Sequence, residues 1–310
     1  MKEEYRRLER EDDLEYLMRL VGIKMENRGC ELEWQDIVDS CDLDTHRDVL
    51  RKAVQPKKFG SYEIYKQLVE QRELVSKLQF MSDIKNKKPR LVISDVHLPF
   101  AVEGWLEFIK ETHAKFGCHD EIIINGDLFD WHSISFHKSE TDAMTANQEY
   151  EETLKQVELL KEAFPKAKMT MGNHDDRIAR MNKDLGIDKR FLKSLPELFE
   201  LPDTWEIASE FIVDNVYYRH IGCCGGKDGA INSAISNRMS TVVSHLHSNG
   251  GVKYITAPNG ESIFGLNTGC LFDENTYAGR YGKFSRFKGT LGCGVVFSDK
   301  EAYFVPKTTN

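Results

Sequence analysis

Asp95-Val-His97, Gly126-Asp127-Leu-Phe-Asp130, Gly172-Asn173-His174-Asp175, His220 and His245-Leu-His247 hold most of the chemistry in this sequence. Each follows a short apolar run that reads as a buried strand. An Asp-x-His pair at a strand end places both side chains on one side, because side chains alternate with period two. His245 and His247 stand in the same relation. Gly126 lets the backbone turn sharply, so the Asp127 carboxylate can face inward and bridge two cations. The carboxylates, the amide and the imidazoles suffice for two metal ions and one free imidazole. Mixed carboxylate and imidazole donors suit Mn, with Fe or Zn as alternatives, better than the all-oxygen cages of Ca or Mg. Two ions ~3.5–4 Å apart stabilise the attacking and leaving oxygens of a phosphoryl displacement.

Each cluster also has a plain reading. A single buried His is usually a satisfied core group, and Asp or Asn after Gly is commonly a turn residue. That reading accounts for members and not for the ordered set, since chance turns do not supply these motifs one after another behind strands. His132 and His137 read as residues of a solvated loop, and Asp130 as a brace for that loop.

The elements that position these residues alternate early in the region. Strands are expected at Leu91–Ser94, Glu121–Asn125, Lys168–Met171, Val216–His220, Thr241–Ser244, Ser262–Asn267, Gly294–Phe297 and Ala302–Val305. Helices are expected at Glu103–Lys115, Thr145–Ala163, Asp176–Lys183 and Gly229–Met239. The βα alternation giving way to a strand-rich end predicts a layered α/β architecture.

The motif set, in this order, resembles that of the calcineurin-like metallophosphoesterases over residues ~90–305, a domain of ordinary size. The resemblance implies two mixed β-sheets packed face to face and flanked by helices, a four-layer α/β fold. It implies a first metal held by Asp95, His97, Asp127 and His247, and a second held by Asp127, Asn173, His220 and His245. Asp127 would be the bridge. His174 would stand beside the scissile phosphate as general acid or electrostatic stabiliser, with Asp175 orienting its imidazole. Two departures stand out: Ser244 replaces the Gly usual before the last His-x-His, and Ile221-Gly222 follows His220 where relatives often have Gly-His.

In motif detail, Gly126-Asp127-Leu-Phe-Asp130 with Gly172-Asn173-His174-Asp175 is most similar to the DNA-repair nuclease branch. Protein phosphatases carry Arg-Gly after the second motif, where Trp131-His132 stands here, although Arg177 matches an Arg after their Gly-Asn-His. Lipid-precursor hydrolases typically place Arg where His174 stands. A short helical segment before such a domain also resembles phage-encoded phosphoesterases, which implies a host-cytoplasmic setting. The expected activity is metal-dependent phosphodiester hydrolysis, exonuclease-like and on DNA. The alternatives are a phosphomonoesterase for nucleotides or phosphoproteins, and a DNA-binding scaffold with a structural metal site.

The chain has 310 residues, 40% hydrophobic and 30% charged, with net charge −8. That length allows one large domain and a small one, read as residues 1–88 and 89–310. No run approaches the ~18 apolar residues of a membrane span. No apolar segment follows Met-Lys-Glu-Glu-Tyr-Arg-Arg, so no signal peptide is expected. Seven cysteines without a Cys-x-x-Cys pair read as reduced thiols in a cytoplasm.

The first 88 residues read as helices. Leu14, Leu17, Met18 and Val21 mark one apolar face, and Trp34, Ile37, Val38 and Cys41 a second helix. A third runs through Val49, Leu50 and Ala53, capped by Asp44-Thr45, and a longer fourth from Ile64 to Leu78. The second and third resemble a helix-turn-helix that would present Arg47, Arg51 and Lys52 to DNA phosphates. The competing reading is a helical packing unit with a solvated basic face. The charged segment Lys85–Arg90, broken by Pro89, reads as the linker.

Overall fold

Leu91, Val92 and Ile93 leave no polar side for water, as strands covered on both faces do. They form the centre of strand β1 (Arg90–Ile93) in a computed structural model that describes residues 5–7, 16, 19–21, 23–24, 32–41, 88–135, 142–282 and 287–308. The chain divides into two compact units, Met1–Asn86 and Lys87–Asn310.

In the first unit, helix α1 (Trp34–Ser40) is closed at its start by Asp36, whose carboxylate accepts the Glu33 N–H at 2.7 Å. Trp34, Ile37 and Val38 are buried with Tyr5, Tyr16 and Leu20. Val21 lies in a helical stretch, whereas Leu14, Leu17 and Met18 fall outside the described residues. So do the third and fourth expected helices, with Arg47, Arg51 and Lys52.

The second unit continues through α2 (Trp105–Phe116), β2 (Glu121–Asn125), α3 (Ala146–Ala163), β3 (Lys166–Thr170), α4 (Arg177–Asp184), α5 (Leu195–Phe199), β4 (Trp205–Ala208), β5 (Phe211–Val213) and β6 (Val216–Tyr218). It closes with α6 (Gly229–Asn237), β7 (Thr241–Val243), β8 (Gly251–Thr256), β9 (Ser262–Asn267), β10 (Gly292–Ser298) and β11 (Glu301–Pro306). One sheet has the order β11-β10-β1-β2-β3-β4 and the other β5-β6-β7-β9-β8. Strands β1 to β4 run parallel, and so do β6, β7 and β9, while antiparallel strands complete both sheets. Both sheets are therefore mixed.

Side-chain alternation sorts β1 between two cores. Val92 points between the sheets, where Ile123 and Val296 meet Tyr218, Val242, Phe264 and Leu266. Leu91 and Ile93 point the other way, into a core with Trp105 and Ile109 of α2 and Val157 and Leu160 of α3. Helix α6 covers the far face of the second sheet. There a Cβ on Gly265 would lie 2.3 Å from the Ala230 carbonyl carbon and the Ile231 nitrogen. Four layers result, helix, sheet, sheet and helix. Gly265→Ala is expected to force α6 off β9 and cost about 1–3 kcal/mol, the usual scale of overpacking. A thermal melt that does not move would show that the helix is not seated there.

The eight expected strands are present with shifted ends, and the four helices expected between residues 103 and 239 stand within a few residues. The sequence reading lacked β4, β5 and β8, which are sheet edges. An edge strand is covered less completely, so its residues carry a weaker apolar signal; the last four residues of β8 are all exposed. Helix α5, which opens with Ser194 and Glu197 in a capping box, was too short to show a period. Among the described residues no helix is long and apolar enough to cross a membrane, and every described cysteine is free.

Candidate metal centre

The polar clusters meet at the C-terminal ends of β1, β2, β3, β6 and β7, where open α/β sheets commonly place their ligands. Strand alternation is not what aims them. β1 ends at Ile93, and Asp95 and His97 lie beyond it in the left-handed region, at φ 47 and φ 53. Asp127 and His245 follow at φ 51 and φ 69. Left-handed backbone at residues with a Cβ costs about 1–3 kcal/mol each and tends to collect at functional sites. Paired loops sustain it here: Asp95 N–H donates to the Gly126 carbonyl and His97 N–H to the Asp127 carbonyl, each at 3.1 Å.

Two triads result, Asp95-His97-His247 and Asp127-His220-His245, with one ligand atom from each member within 4.8 Å of the others. Asp127 stands between them. Its Oδ1 accepts the His174 N–H at 2.7 Å, while its Oδ2 lies 3.0 Å from His220 Nε2 and 3.9 Å from His97 Nε2. His220 Nδ1 lies 2.9 Å from the Asn125 carbonyl, which can only accept, so the proton belongs on Nδ1 and Nε2 offers a lone pair. In the same way Asp130 Oδ1, at 2.7 Å, fixes the proton on His97 Nδ1 and frees Nε2.

Asn173 Oδ1 is buried without a hydrogen-bond partner, and the buried Asp95 Oδ1 and His220 Nε2 face other would-be ligands, His247 Nε2 at 3.1 Å and Asp127 Oδ2 at 3.0 Å. A buried acceptor left unsatisfied costs roughly 1–3 kcal/mol, and a cation relieves several at once. The donor set and these lone pairs fit two divalent cations. The electrostatics agree. Burial opposes ionisation of Asp95, yet His220 and His247 beside it hold its carboxyl well below the usual range. Burial likewise works against charging His97, but Asp130 and Asp95 raise it to about 10. His220 is raised against burial to about 9 by Asp127 and Asp95. Without cations the acid cluster holds protons on its imidazoles, so metal and proton compete for the same lone pairs.

Two glycines make room. Gly126, at φ +81, would set a Cβ 2.6 Å from the His220 ring. At Gly172 a Cβ would lie 2.1 Å from Asp127 Oδ1 and 2.3 Å from Asp127 N. Gly172→Ala must displace the Asp127 carboxylate, which stands between the two triads. It is expected to lower bound metal to one ion per chain or fewer, read by elemental analysis. Full occupancy in that variant would show that Asp127 can move without losing its place.

A polar floor lies beneath. Ser94 Oγ donates to Asp95 Oδ2 at 2.7 Å and meets Thr268 Oγ1 at 2.6 Å, and Thr268 meets Ser244 Oγ at 2.8 Å. Asn125 Nδ2 donates to Ser244 Oγ at 2.8 Å. Ser244, the departure noted in the sequence, is thus a fully used member of the network under the ligands.

Asp175 does not orient His174. It accepts three backbone N–H bonds, from Asp127 and Gly172 at 2.8 Å and Phe129 at 3.0 Å, and so staples the second and third motif loops together. The tight Gly-Asn-His-Asp turn folds its carboxylate back onto backbone. Burial and the Asp127 charge push it up to about 7 against those bonds. Asp130 takes the expected role, with Oδ1 2.8 Å from His174 Nδ1 as well as 2.7 Å from His97 Nδ1. The spacing Gly-Asp-x-x-Asp was the only sequence signal for it. Arg177, noted in the sequence only for its match to an Arg of protein phosphatases, places Nη2 2.8 Å from His174 Nδ1 and donates through Nη1 to the Asp130 and Trp131 carbonyls at 2.7 and 3.1 Å. Burial lowers the His174 pKa against the pull of Asp130. His132 is buried against Phe100 and Tyr277, not solvated, and its N–H donates to Glu149 Oε1 at 2.7 Å. His137 lies outside the described residues.

Beside His174 opens a cleft of about 560 Å³, lined by Asp130 and His132 on one side and Asn173, Arg177, Arg180 and Lys183 on the other. The family model described as calcineurin-like phosphoesterase matches residues 88–287, which spans every residue of both triads. No curated protein matches the chain.

Proposed function

The chain belongs to the calcineurin-like phosphoesterases, a family of metal-dependent hydrolases, and from that premise we propose a two-metal phosphodiesterase that cleaves nucleic acid, DNA first, with Mn as the preferred ion. The carrying observation is the pair of triads, with Asp127 of the second 3.9 Å from His97 of the first, and a fifth imidazole, His174, in neither of them. Asp95, His97, Asp127 and His247 would hold one ion, and Asp127, Asn173, His220 and His245 the other. When bound, such a pair supplies Lewis-acid stabilisation of phosphoryl oxygens and lowers the pKa of water.

The chain's own residues do the rest. Asp130 Oδ1, 2.8 Å from His174 Nδ1, holds the imidazole beside the centre, where it can take or give a proton at the reacting oxygen. Asp175 holds the Asp127 loop against the Asn173 loop. A scaffold has no use for such a poised imidazole, which favours an enzyme over a DNA-binding protein with a structural metal site.

The test is turnover of bis-p-nitrophenyl phosphate against p-nitrophenyl phosphate with Mn²⁺. Faster diester turnover is expected; the reverse order assigns a monoesterase, and turnover of neither with tight duplex binding assigns a scaffold. Arg47, Arg51 and Lys52 enter the proposal as a second DNA contact. Reversing their charges is expected to weaken DNA cleavage and to spare the small diester, and equal effects on both substrates would remove that contact.

A further inference from the structure

The segment leaving the Gly-Asn-His-Asp motif differs in charge from the chain around it. Residues 176–193 hold six basic side chains against three aspartates, a net charge of +3 in a chain of net charge −8. Part of this segment lies at the active centre. Arg180 and Lys183 share the cleft with Asn173 and His174. Arg177, Arg180 and Lys183 recur every three residues along α4, so at 1.5 Å per residue they span about 9 Å. Even in a stacked strand successive phosphates rise only about 3.4 Å along the axis, so the row is long enough to meet more than one phosphate.

The three cations are not equally committed. Arg177 is bound to the carbonyls of Asp130 and Trp131. Arg180 donates to the Asn173 carbonyl and lies 3.7 Å from Asp176. Lys183 is exposed and has no carboxylate partner among the described residues. Past α4, the 3₁₀ turn Lys189–Phe191 lies against that helix and leaves Phe191 79% exposed. An aromatic ring left in water beside a row of cations is the pairing that proteins use for single strands: phosphates track the charge and an unpaired base stacks on the ring. A duplex keeps its bases stacked inside and has no face to offer that ring.

We propose that α4 and the turn after it form a track for single-stranded nucleic acid, with Arg180 and Lys183 holding phosphates beyond the scissile one and Phe191 stacking a base. The proposal deepens the phosphodiesterase reading and rests on it for the direction of the strand into the metal centre.

The experiment uses the full chain and three variants, Lys183→Gln, Phe191→Ala and Arg180→Gln. Anisotropy of a labelled oligothymidylate in EDTA reads binding without turnover. Lys183→Gln is expected to flatten the salt dependence by about 0.7 in log–log slope, one phosphate contact on a single strand. Phe191→Ala is expected to weaken binding about 5–150-fold, the scale of one stacked base. Arg180 touches the Asn173 loop, so Arg180→Gln is read by binding alone, with the same change of slope expected. In the Mn-loaded protein, Phe191→Ala, outside the cleft, should lower oligonucleotide cleavage and keep bis-p-nitrophenyl phosphate turnover within about twofold. Unchanged affinity and slope in these variants would overturn the track, and so would duplex binding as tight as single-strand binding. Equal loss on both substrates would overturn it in favour of a structural role. If the wild type fails to turn over the small diester, the phosphodiesterase reading falls, while the anisotropy still decides whether the track exists.

Discussion

Asp127→Asn is expected to yield a folded protein that retains at most one metal ion per chain and almost no activity. The substitution keeps shape and removes charge. If the new amide nitrogen takes the Oδ2 position, it stands 3.0 Å from the His220 Nε2 lone pair and donates to it. That bond occupies a lone pair otherwise offered to a cation. In the other orientation the amide would face the His174 N–H, which donates to Oδ1 at 2.7 Å, and two donors would oppose each other. The first orientation therefore wins. Folding should not suffer, since a buried carboxylate is replaced by a group whose hydrogen bonds are met on both sides. Metal binding suffers twice, from the lost bridging charge and from the occupied imidazole. Losing only an outer partner of a ligand costs about 10–100-fold in metal affinity, and loss of the shared ligand should exceed that. Elemental analysis after Mn loading, with a thermal melt alongside, is the check. Two ions per chain in the variant would refute the bridging position.

How far the sequence revealed this site depends on what each residue touches. Asp95, His97, Asp127, Asn173, His220, His245 and His247 were visible because each interrupts or ends an apolar run. A polar group there must be satisfied by something other than water. The turn geometry was misread for the same residues. Left-handed backbone is routine only for Gly and merely occasional for Asn, Asp and His, so the letters of Asp95, His97, Asp127 and His245 do not by themselves announce it. For Asp95 and His97 the reading took strand alternation as the cause, whereas the loops after β1 and β2 pair and hold them. Asp130 and Asp175 exchanged their expected duties for a related reason. Sequence adjacency suggested that Asp175 serves its neighbour His174. The turn points it at three backbone N–H groups, and a residue more than forty positions earlier reaches the imidazole instead. The family-level fold was legible from motif order and is matched over residues 88–287. Three of the four edge strands, β4, β5 and β8, were not, since exposure on one side blurs their pattern.

His174→Ala is expected to keep both metals and to lose activity by about 10²–10⁴-fold, the range for a positioned proton donor or acceptor. Its contact with the centre makes the two effects separable. The group that touches the bridging carboxylate is the His174 backbone N–H, and it survives truncation to alanine. The imidazole belongs to neither ligand triad; it forms a third group with His97 and Asp130. His247→Ala is the contrast. His247 Nε2 lies 3.1 Å from Asp95 Oδ1 within the first triad, so its removal should weaken one metal directly. Asp130→Asn should fall between the two. Its amide oxygen can still accept from His97 Nδ1 or from His174 Nδ1, but it no longer carries the charge that favours a proton on either ring. Metal content and bis-p-nitrophenyl phosphate turnover, measured on the three variants together, test this order. Recovery of His174→Ala by added imidazole would strengthen it, because a small base in the cleft replaces a proton carrier and not a missing ligand. Loss of metal from His174→Ala to the extent seen in His247→Ala would instead make the imidazole part of the metal-binding set, and catalysis would then have to find its proton elsewhere.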